Sequence, residues 1–188
     1  QLLLLHALER PTHDRAWLLA HDTDDLPPPA AAAFEASVQR RMNGEPVAYL
    51  TGHKEFFGLD LCVDARVLVP RPDTETLVEW ALAVLPTAPS AAPLRILDLG
   101  TGSGAIALAM AAGMLSASVT AIDFSEDALA LARENAIATG LQDRVVFTRS
   151  DWFAGLAAEA RFDVMVANPP YPVADEVPVQ ERALDAAE

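Results

Sequence analysis

A run of alternating glycines near the middle of the chain has the spacing of a ligand-binding loop. The run consists of Gly100, Thr101, Gly102, Ser103 and Gly104. It joins the apolar segment Leu94–Leu99 to a second apolar segment. Glycines allow a sharp turn and the close approach of a ligand, and amide groups at a helix start point towards it. The alternative is a tight strand-to-helix turn without a ligand, since the spacing differs from the dinucleotide-binding Gly-x-Gly-x-x-Gly.

Two further polar positions follow the next two predicted strands. Asp123 ends the strand Val119–Ile122, where a carboxylate can accept hydrogen bonds from ribose hydroxyls. Asp151 and Trp152 follow the strand at 145–148, where an acid can accept from an adenine amino group and a flat ring can pack on the base. Two alternatives are open: Asp123 as the acid before the next helix, and Trp152 as a core residue.

A proline-rich motif follows the last predicted strand, Phe162–Ala167. Its residues are Asn168, Pro169, Pro170 and Tyr171. The Asn168 side-chain oxygen and the Pro169 carbonyl can accept both N–H bonds of a planar NH2 group, which directs the nitrogen lone pair towards an electrophile. The Tyr171 ring can lie against that group and favour its developing positive charge. The alternative is a proline-rich turn that ends a strand.

The elements that would position these residues alternate between strands and helices from Leu94 onward. Apolar strands with helical crossovers predict an α/β fold with a parallel sheet covered on both faces. Ser125 is expected to cap the second of these helices. Asp73 or Thr74 can cap a preceding helix that runs to Leu85.

The first seventy residues have a different pattern. Helical periodicity at His13–His21 and Ala30–Met42, with Gly44 as a cap, predicts a helical domain over residues 1–50. Apolar alternation from Phe56 to Val63, followed by Val67–Val69, predicts a β-hairpin connector over residues 51–70. Residues 71–188 then form the α/β domain.

Composition limits the function classes. The chain has 13 basic and 27 acidic side chains, a net charge of −14, which disfavours a nucleic-acid partner. Cys62 is the single cysteine of the chain, which excludes an internal disulfide and fits a reducing, cytoplasmic location. The histidines lack metal-ligand spacing, so we expect no metal site. The apolar start, Gln1–Leu5, is too short for a membrane span, and no membrane contact is expected.

These motifs resemble known methyltransferases. The glycine loop, with Asp98 and Asp123, resembles the core of class I (Rossmann-like) methyltransferases, which use S-adenosyl-L-methionine. Asn-Pro-Pro-Tyr resembles the motif of amino-methyltransferases that act on adenine N6, guanine N2 or glutamine. The motif therefore indicates a planar NH2 group without identifying the molecule that carries it.

The rest of the chain resembles the release-factor glutamine methyltransferase family. The resemblance rests on Glu45–Gly52, Glu55–Leu59 and Leu68–Glu75. It implies transfer of methyl to the Gly-Gly-Gln glutamine of class I peptide-chain release factors by a monomeric enzyme with an N-terminal helical docking domain and a hairpin connector. It implies cofactor contacts at Gly100–Gly104, Asp123, Asp151, Trp152 and Asn168, glutamine contacts at 168–171, and a site lining at 71–75.

Two other functions stay open: a nucleic-acid amino-methyltransferase, and a non-catalytic cofactor-binding fragment. At the start of the chain, Gln1 is not Met and lies in a helix-like pattern. At the other end, Pro172–Glu188 is acidic and alanine-rich and has no strand pattern. Because the family's sheet continues past this motif, we expect further sequence at both ends. A later strand would pair with Phe162–Ala167. A chain ending at Glu188 would associate through that edge or stay partly unfolded, and would methylate poorly.

Overall fold

The computed structural model describes residues 1–85 and 93–169 of the 188-residue chain. These residues divide into two compact units. The first unit covers Gln1–Gly52 and the second begins at His53.

The first unit is helical. Its helices are α1 (Leu2–Ala7), α2 (Arg15–Ala20), α3 (Pro28–Met42) and α4 (Val47–Thr51). Helix α1 packs against α3 and α4, and the Leu5 side chain is completely buried. Helix α3 begins at a proline, whose fixed φ suits a first helical turn. It ends just before Gly44, which has a φ of 91°, in agreement with the predicted glycine cap.

A β-hairpin opens the second unit. Strands β1 (His53–Phe56) and β2 (Leu59–Cys62) pair antiparallel, so a hairpin does lie within residues 51–70, but its strands and its turn are not the predicted ones. Phe57 and Gly58 form its two-residue turn with φ values of 51° and 76°. Positive φ at both positions is the geometry that matches the twist of paired strands. The predicted apolar segment 67–69 is not a strand, because the hairpin already closes through this earlier turn.

The remainder of the second unit is an α/β layer structure. Its elements are α5 (Asp73–Val84), β3 (Leu94–Leu99), α6 (Ala105–Gly113), β4 (Ala117–Asp123), α7 (Glu126–Ala138), β5 (Val145–Arg149) and β6 (Val164–Ala167). The strands are parallel in the order β5-β4-β3-β6. The predicted parallel sheet is therefore confirmed. The pairing of β6 with β3 is confirmed as well, although β6 begins two residues later than predicted.

The core forms on both faces of the sheet. Helix α6 is buried from Ala105 to Ala111, because its small side chains allow close approach to the strands and to α5. On one face lie Ile96, Val119 and Val166 together with this helix and with Phe56 of the hairpin. On the other face the cluster is Leu97, Leu99, Ile122, Leu156 and Phe162. Each of the larger side chains stabilises the fold by about 1.5–3 kcal/mol.

None of the helices in the described residues combines the length and the apolar character that a membrane crossing requires.

Candidate functional site

The glycine loop leaves the carboxyl end of β3 in a left-handed backbone conformation. Gly100, Gly102 and Gly104 have φ values of 70°, 53° and 84°, so each needs the freedom that a glycine has. The amides of Gly100 and Thr101 both donate to the Ile122 carbonyl at 2.9 Å, which holds the loop against β4. A Cβ on Gly102 would meet no atom within 4 Å, so this side of the loop is open.

Asp123 connects the loop to the end of the neighbouring strand. Its Oδ2 accepts from the Gly102 amide and its Oδ1 from the Ser125 amide, each at 2.9 Å. The alternative in which Asp123 precedes and stabilises the next helix is therefore correct in this structure. Ser125 caps α7, as predicted, by accepting from the Ala128 amide at 3.2 Å. Each carboxylate oxygen has a second lone pair, so these bonds leave Asp123 able to accept from a ligand.

Asp98 is a completely buried carboxyl group at the end of β3. Its Oδ2 accepts from the Thr101 hydroxyl at 2.6 Å. Its Oδ1 is buried and has no hydrogen-bond partner among the described atoms. Burial raises the pKa of Asp98 to about 6, and the Thr101 hydrogen bond opposes that shift. The backbone amide of Ala107 in α6 also acts on this carboxyl group and opposes the rise of its pKa. Asp98 therefore supports the glycine loop from within the protein.

Two aromatic rings are exposed at the same edge of the sheet. Trp152 is 61% exposed, which contradicts its interpretation as a core residue. Its φ of 48° places it in a turn that Ser150 holds through a bond from the Gly155 amide. Phe124, directly after Asp123, is 67% exposed. Sequence reasoning missed Phe124, although an apolar residue next to a candidate ribose ligand was the available signal.

The Ser150 amide donates to the Asp123 carbonyl at 2.9 Å, which holds the end of β5 beside the end of β4. The exposed side chains Asp151 and Trp152 therefore lie at the edge that also carries the glycine loop. The structure thus brings the predicted cofactor residues of three strands to one edge.

Asn168 and Pro169 follow β6 and lie next to the glycine loop. Ala167 is the register partner of Leu99, so Asn168 and Gly100 are the next residues on adjacent strands. The Pro169 Cα is 3.9 Å from where a Cβ on Gly100 would be. The predicted residues Pro170 and Tyr171 lie outside the described residues.

The start of α5 contacts Asn168 directly. The Asn168 Nδ2 donates to the Thr74 Oγ1 at 2.8 Å. The prediction that Asp73 or Thr74 caps α5 is wrong: the cap position is Pro72, with no side-chain hydrogen bond. Both residues lie inside the first turn, where the Thr74 and Glu75 amides already donate to the carbonyls of residues 71 and 72.

A buried side chain that the sequence did not single out joins the hairpin to the loop. The Asn135 Oδ1 accepts from the Cys62 amide at 2.7 Å. Its Nδ2 donates to the carbonyls of Cys62 and Ser103, at 3.0 and 2.9 Å. An asparagine in a mostly apolar helix was the only available signal, and its partners are distant in sequence.

Comparison with known protein families gives two matches. Residues 79–188 match the model of the methyltransferase small domain, and residues 1–52 match the model of the PrmC N-terminal domain.

Curated relatives agree on one name. The chain is 50% identical over 171 residues to the release factor glutamine methyltransferase of Bordetella pertussis, covering 91% of this chain and 60% of the relative. The proteins of the same name from Xylella fastidiosa strain 9a5c and Escherichia coli K12 are 49% and 43% identical, with 91% of this chain and 59% and 58% of their lengths covered. The chain therefore spans about three fifths of the length of these relatives.

Among solved structures, a SAM-dependent methyltransferase from Agrobacterium tumefaciens superimposes with a TM-score of 0.53 at 25% identity, covering 63% of this chain and 39% of that one. The METTL16 methyltransferase domain superimposes with a TM-score of 0.51 at 20% identity, over 61% of this chain and 48% of that one. The second likeness is one of fold alone.

Proposed function

The chain belongs to the methyltransferase small domain family, and from this premise we propose that the protein is a release factor glutamine methyltransferase. In this proposal a methyl group passes from S-adenosyl-L-methionine to the N5 amide nitrogen of the Gly-Gly-Gln glutamine in class I peptide-chain release factors. The observation that supports this proposal most directly is that Asn168 and Pro169 lie beside the glycine loop. The names of the curated relatives support the substrate.

The described residues suit S-adenosyl-L-methionine. The open side of Gly102 leaves room for a ligand along the loop. Asp123 would accept from the ribose hydroxyls, Asp151 from the adenine amino group, and the exposed Trp152 would pack on the base. When bound, the cofactor supplies an electrophilic methyl group on a positively charged sulfur.

Asn168 and Pro169 would make the glutamine nitrogen reactive. An amide nitrogen is a poor nucleophile because its lone pair is delocalised into the carbonyl. The Asn168 Oδ1 and the Pro169 carbonyl would accept its two N–H bonds and direct the lone pair towards the methyl carbon. The nitrogen–carbon bond forms as the carbon–sulfur bond breaks, and the nitrogen then loses a proton to water. Pro170 and the Tyr171 ring would complete the glutamine pocket.

The remaining parts of the proposal concern the whole protein. The helical unit Gln1–Gly52 would dock the release factor, and residues 71–75 would line the site. We place the reaction in the cytoplasm and expect a monomer. No nucleic acid would take part directly, since the net charge is −14.

The test is methylation by the whole encoded protein, with isotope-labelled cofactor and a purified class I release factor. Peptide mass mapping should place one methyl on the Gly-Gly-Gln glutamine, and none should appear when that glutamine is replaced by alanine. Asn168→Ala should lower turnover by about 100-fold or more, because the nitrogen loses its orienting acceptor. Gln142→Ala removes an exposed amide remote in sequence from these motifs and serves as the matched control. A methyl found on a lysine, a carboxylate or a nucleobase would contradict the proposal.

A further inference from the structure

The Asn168 side chain bonds Thr74 through its Nδ2 edge, and its Oδ1 edge has no hydrogen-bond partner within residues 1–85 and 93–169. Its Nδ2 lies 2.8 Å from the Thr74 Oγ1, whereas the residue as a whole is exposed. The two residues are 94 positions apart in the chain, so only the fold brings them together. The contact therefore links the start of α5 to the end of β6.

We propose that Thr74 is a positioning residue that holds the Asn168 amide plane so that Oδ1 is presented to the substrate. This inference rests on the proposed function, in which Asn168 Oδ1 accepts from the glutamine NH2 group. In this inference Thr74 acts on the reaction through its bond to Asn168 and not by a bond of its own to the reacting nitrogen.

The need for such an anchor follows from the freedom of an asparagine side chain. Its terminal torsion joins an sp³ to an sp² carbon and has a broad, roughly two-fold energy profile. An exposed Asn168 without a partner would sample many orientations of its plane. In the reversed orientation its NH2 group would face the NH2 group of the glutamine, and two donors cannot pair. Productive transfer therefore needs the orientation of the structure, in which Nδ2 bonds Thr74 and Oδ1 is left for the glutamine. Because the Thr74 hydroxyl can accept or donate, its bond fixes the amide plane, and the two N–H donors of the glutamine then favour this orientation over the reversed one.

Thr74 can hold Asn168 because α5 and its own backbone bond fix the position of Thr74. It lies in the first turn of α5, a helix whose Val78 and Ala81 are completely buried in the core. Its backbone amide donates to the Arg71 carbonyl at 3.0 Å. Its side chain is β-branched, which restricts χ1 and thereby the position of the hydroxyl. Support on a packed helix is what keeps a reacting geometry within a fraction of an ångström.

The first arm of the test compares Thr74→Val with Thr74→Ser in the whole encoded protein. Valine keeps the shape and removes the hydroxyl, so kcat for the release factor should fall by about tenfold, the scale of one hydrogen bond. Serine keeps the hydroxyl and should stay within about threefold of the unsubstituted protein. The dissociation constant of S-adenosylhomocysteine should change by much less than kcat in Thr74→Val, and should be unchanged in Thr74→Ser. Thr139→Val removes another half-buried hydroxyl, which directly follows α7 and bonds the Asn135 carbonyl, and is the matched control.

The second arm measures Asn168 without turnover. In ¹⁵N NMR spectra the Asn168 NH2 resonances are identified by their loss in Asn168→Asp. We expect them to shift and to exchange faster with solvent in Thr74→Val, and to be retained in Thr74→Ser. Resonances that do not respond to Thr74→Val, or a kcat that does not fall, would overturn the inference.

The two arms separate this inference from the proposed function. A protein that binds cofactor but transfers no methyl to the release factor contradicts the proposed function. The Asn168 resonances would still decide whether Thr74 holds this side chain. A loss of cofactor affinity in Thr74→Val equal to the loss of kcat would indicate a general structural role and would also overturn the positioning role.

Discussion

The carboxylate of Asp123 accepts backbone hydrogen bonds from two segments at once. It joins Gly102 of the glycine loop to Ser125 at the start of α7. Under the proposed function the same group would accept from the ribose hydroxyls. Its removal would therefore act on the ligand and on the loop together.

We expect Asp123→Ala to weaken binding of S-adenosyl-L-methionine by about 1–3 kcal/mol, because the half-buried Gly102 and Ser125 amides and the ribose hydroxyls would lose their acceptor. Titration calorimetry on the whole encoded protein measures this loss. Asp143→Ala, at an exposed acid beyond α7, should leave the affinity unchanged and controls for net charge. An affinity unaltered by Asp123→Ala would refute the ribose assignment.

The buried Asp98 makes folding stability depend on pH. Its folded-state pKa of about 6 lies above the ordinary value of 3.8. Between these two values the folded protein binds more protons than the unfolded chain. The contribution of Asp98 to the free energy of unfolding therefore decreases as the pH rises through that window.

Asp98→Asn should remove this dependence. Between pH 5 and pH 7.5, above the isoelectric point of about 4.5, the free energy of unfolding of the variant should rise relative to the unsubstituted protein by roughly 1–2 kcal/mol. Urea unfolding of the cofactor-free protein at several pH values measures the difference. Asp143→Asn, which replaces an exposed acid, is the matched control variant. Parallel pH profiles for Asp98→Asn and the unsubstituted protein would show that Asp98 ionises with an ordinary pKa.

At the scale of elements, the Asn135 side chain connects α7, the hairpin and the glycine loop. It lies in α7 and bonds Cys62 of β2 and Ser103 of the glycine loop, and it is completely buried. Buried backbone groups need such partners, because an unsatisfied donor or acceptor loses its bond to water without replacement. The hairpin and the loop therefore depend on one side chain.

We expect Asn135→Leu, which keeps a similar volume, to lower the free energy of unfolding by about 1–3 kcal/mol. It should also weaken cofactor binding, since Ser103 lies in the loop. Urea unfolding and calorimetry measure the two effects. Gln142→Leu at an exposed amide should stay within about 0.5 kcal/mol. A loss of stability without any change in cofactor affinity would show that Asn135 stabilises the hairpin without affecting the glycine loop, contrary to this prediction.

Local patterns predicted the elements with regular periodicity and missed contacts between distant positions. The strand Leu94–Leu99 and the cap at Ser125 were found because apolar runs and capping residues act within a few positions. The Phe57-Gly58 turn was missed, since phenylalanine rarely has a positive φ. The Thr74–Asn168 contact depends on how α5 meets β6, which no local pattern encodes.

At the scale of the whole molecule, charge is the property that bears on the choice of substrate. Basic side chains are outnumbered 13 to 27. Several described arginines are also paired with carboxylates: Arg10 with Asp14, Arg40 with Glu45, Arg66 with Asp64 and Glu134, and Arg133 with Glu126. Arg144 donates to the carbonyls of Met114 and Ala117. Such arginines are already engaged and would contribute little to a phosphate-binding face.

We therefore expect nucleic acid to leave methylation of the release factor unchanged. Counterion release favours binding by basic side chains, and acidic side chains outnumber basic ones in this chain. We therefore expect an affinity for duplex DNA or RNA at physiological salt weaker than the roughly 10⁻⁴–10⁻⁶ M of non-specific binders. The measurement is methyl transfer by the whole encoded protein with and without excess duplex DNA and ribosomal RNA, together with fluorescence anisotropy of labelled oligonucleotides. Dextran sulfate, a polyanion without bases, controls for charge alone. Micromolar binding that weakens with added salt would contradict this expectation. Methyl recovered on adenine N6 or guanine N2 would also contradict it, because the planar NH2 group held by Asn168 would then belong to a nucleobase.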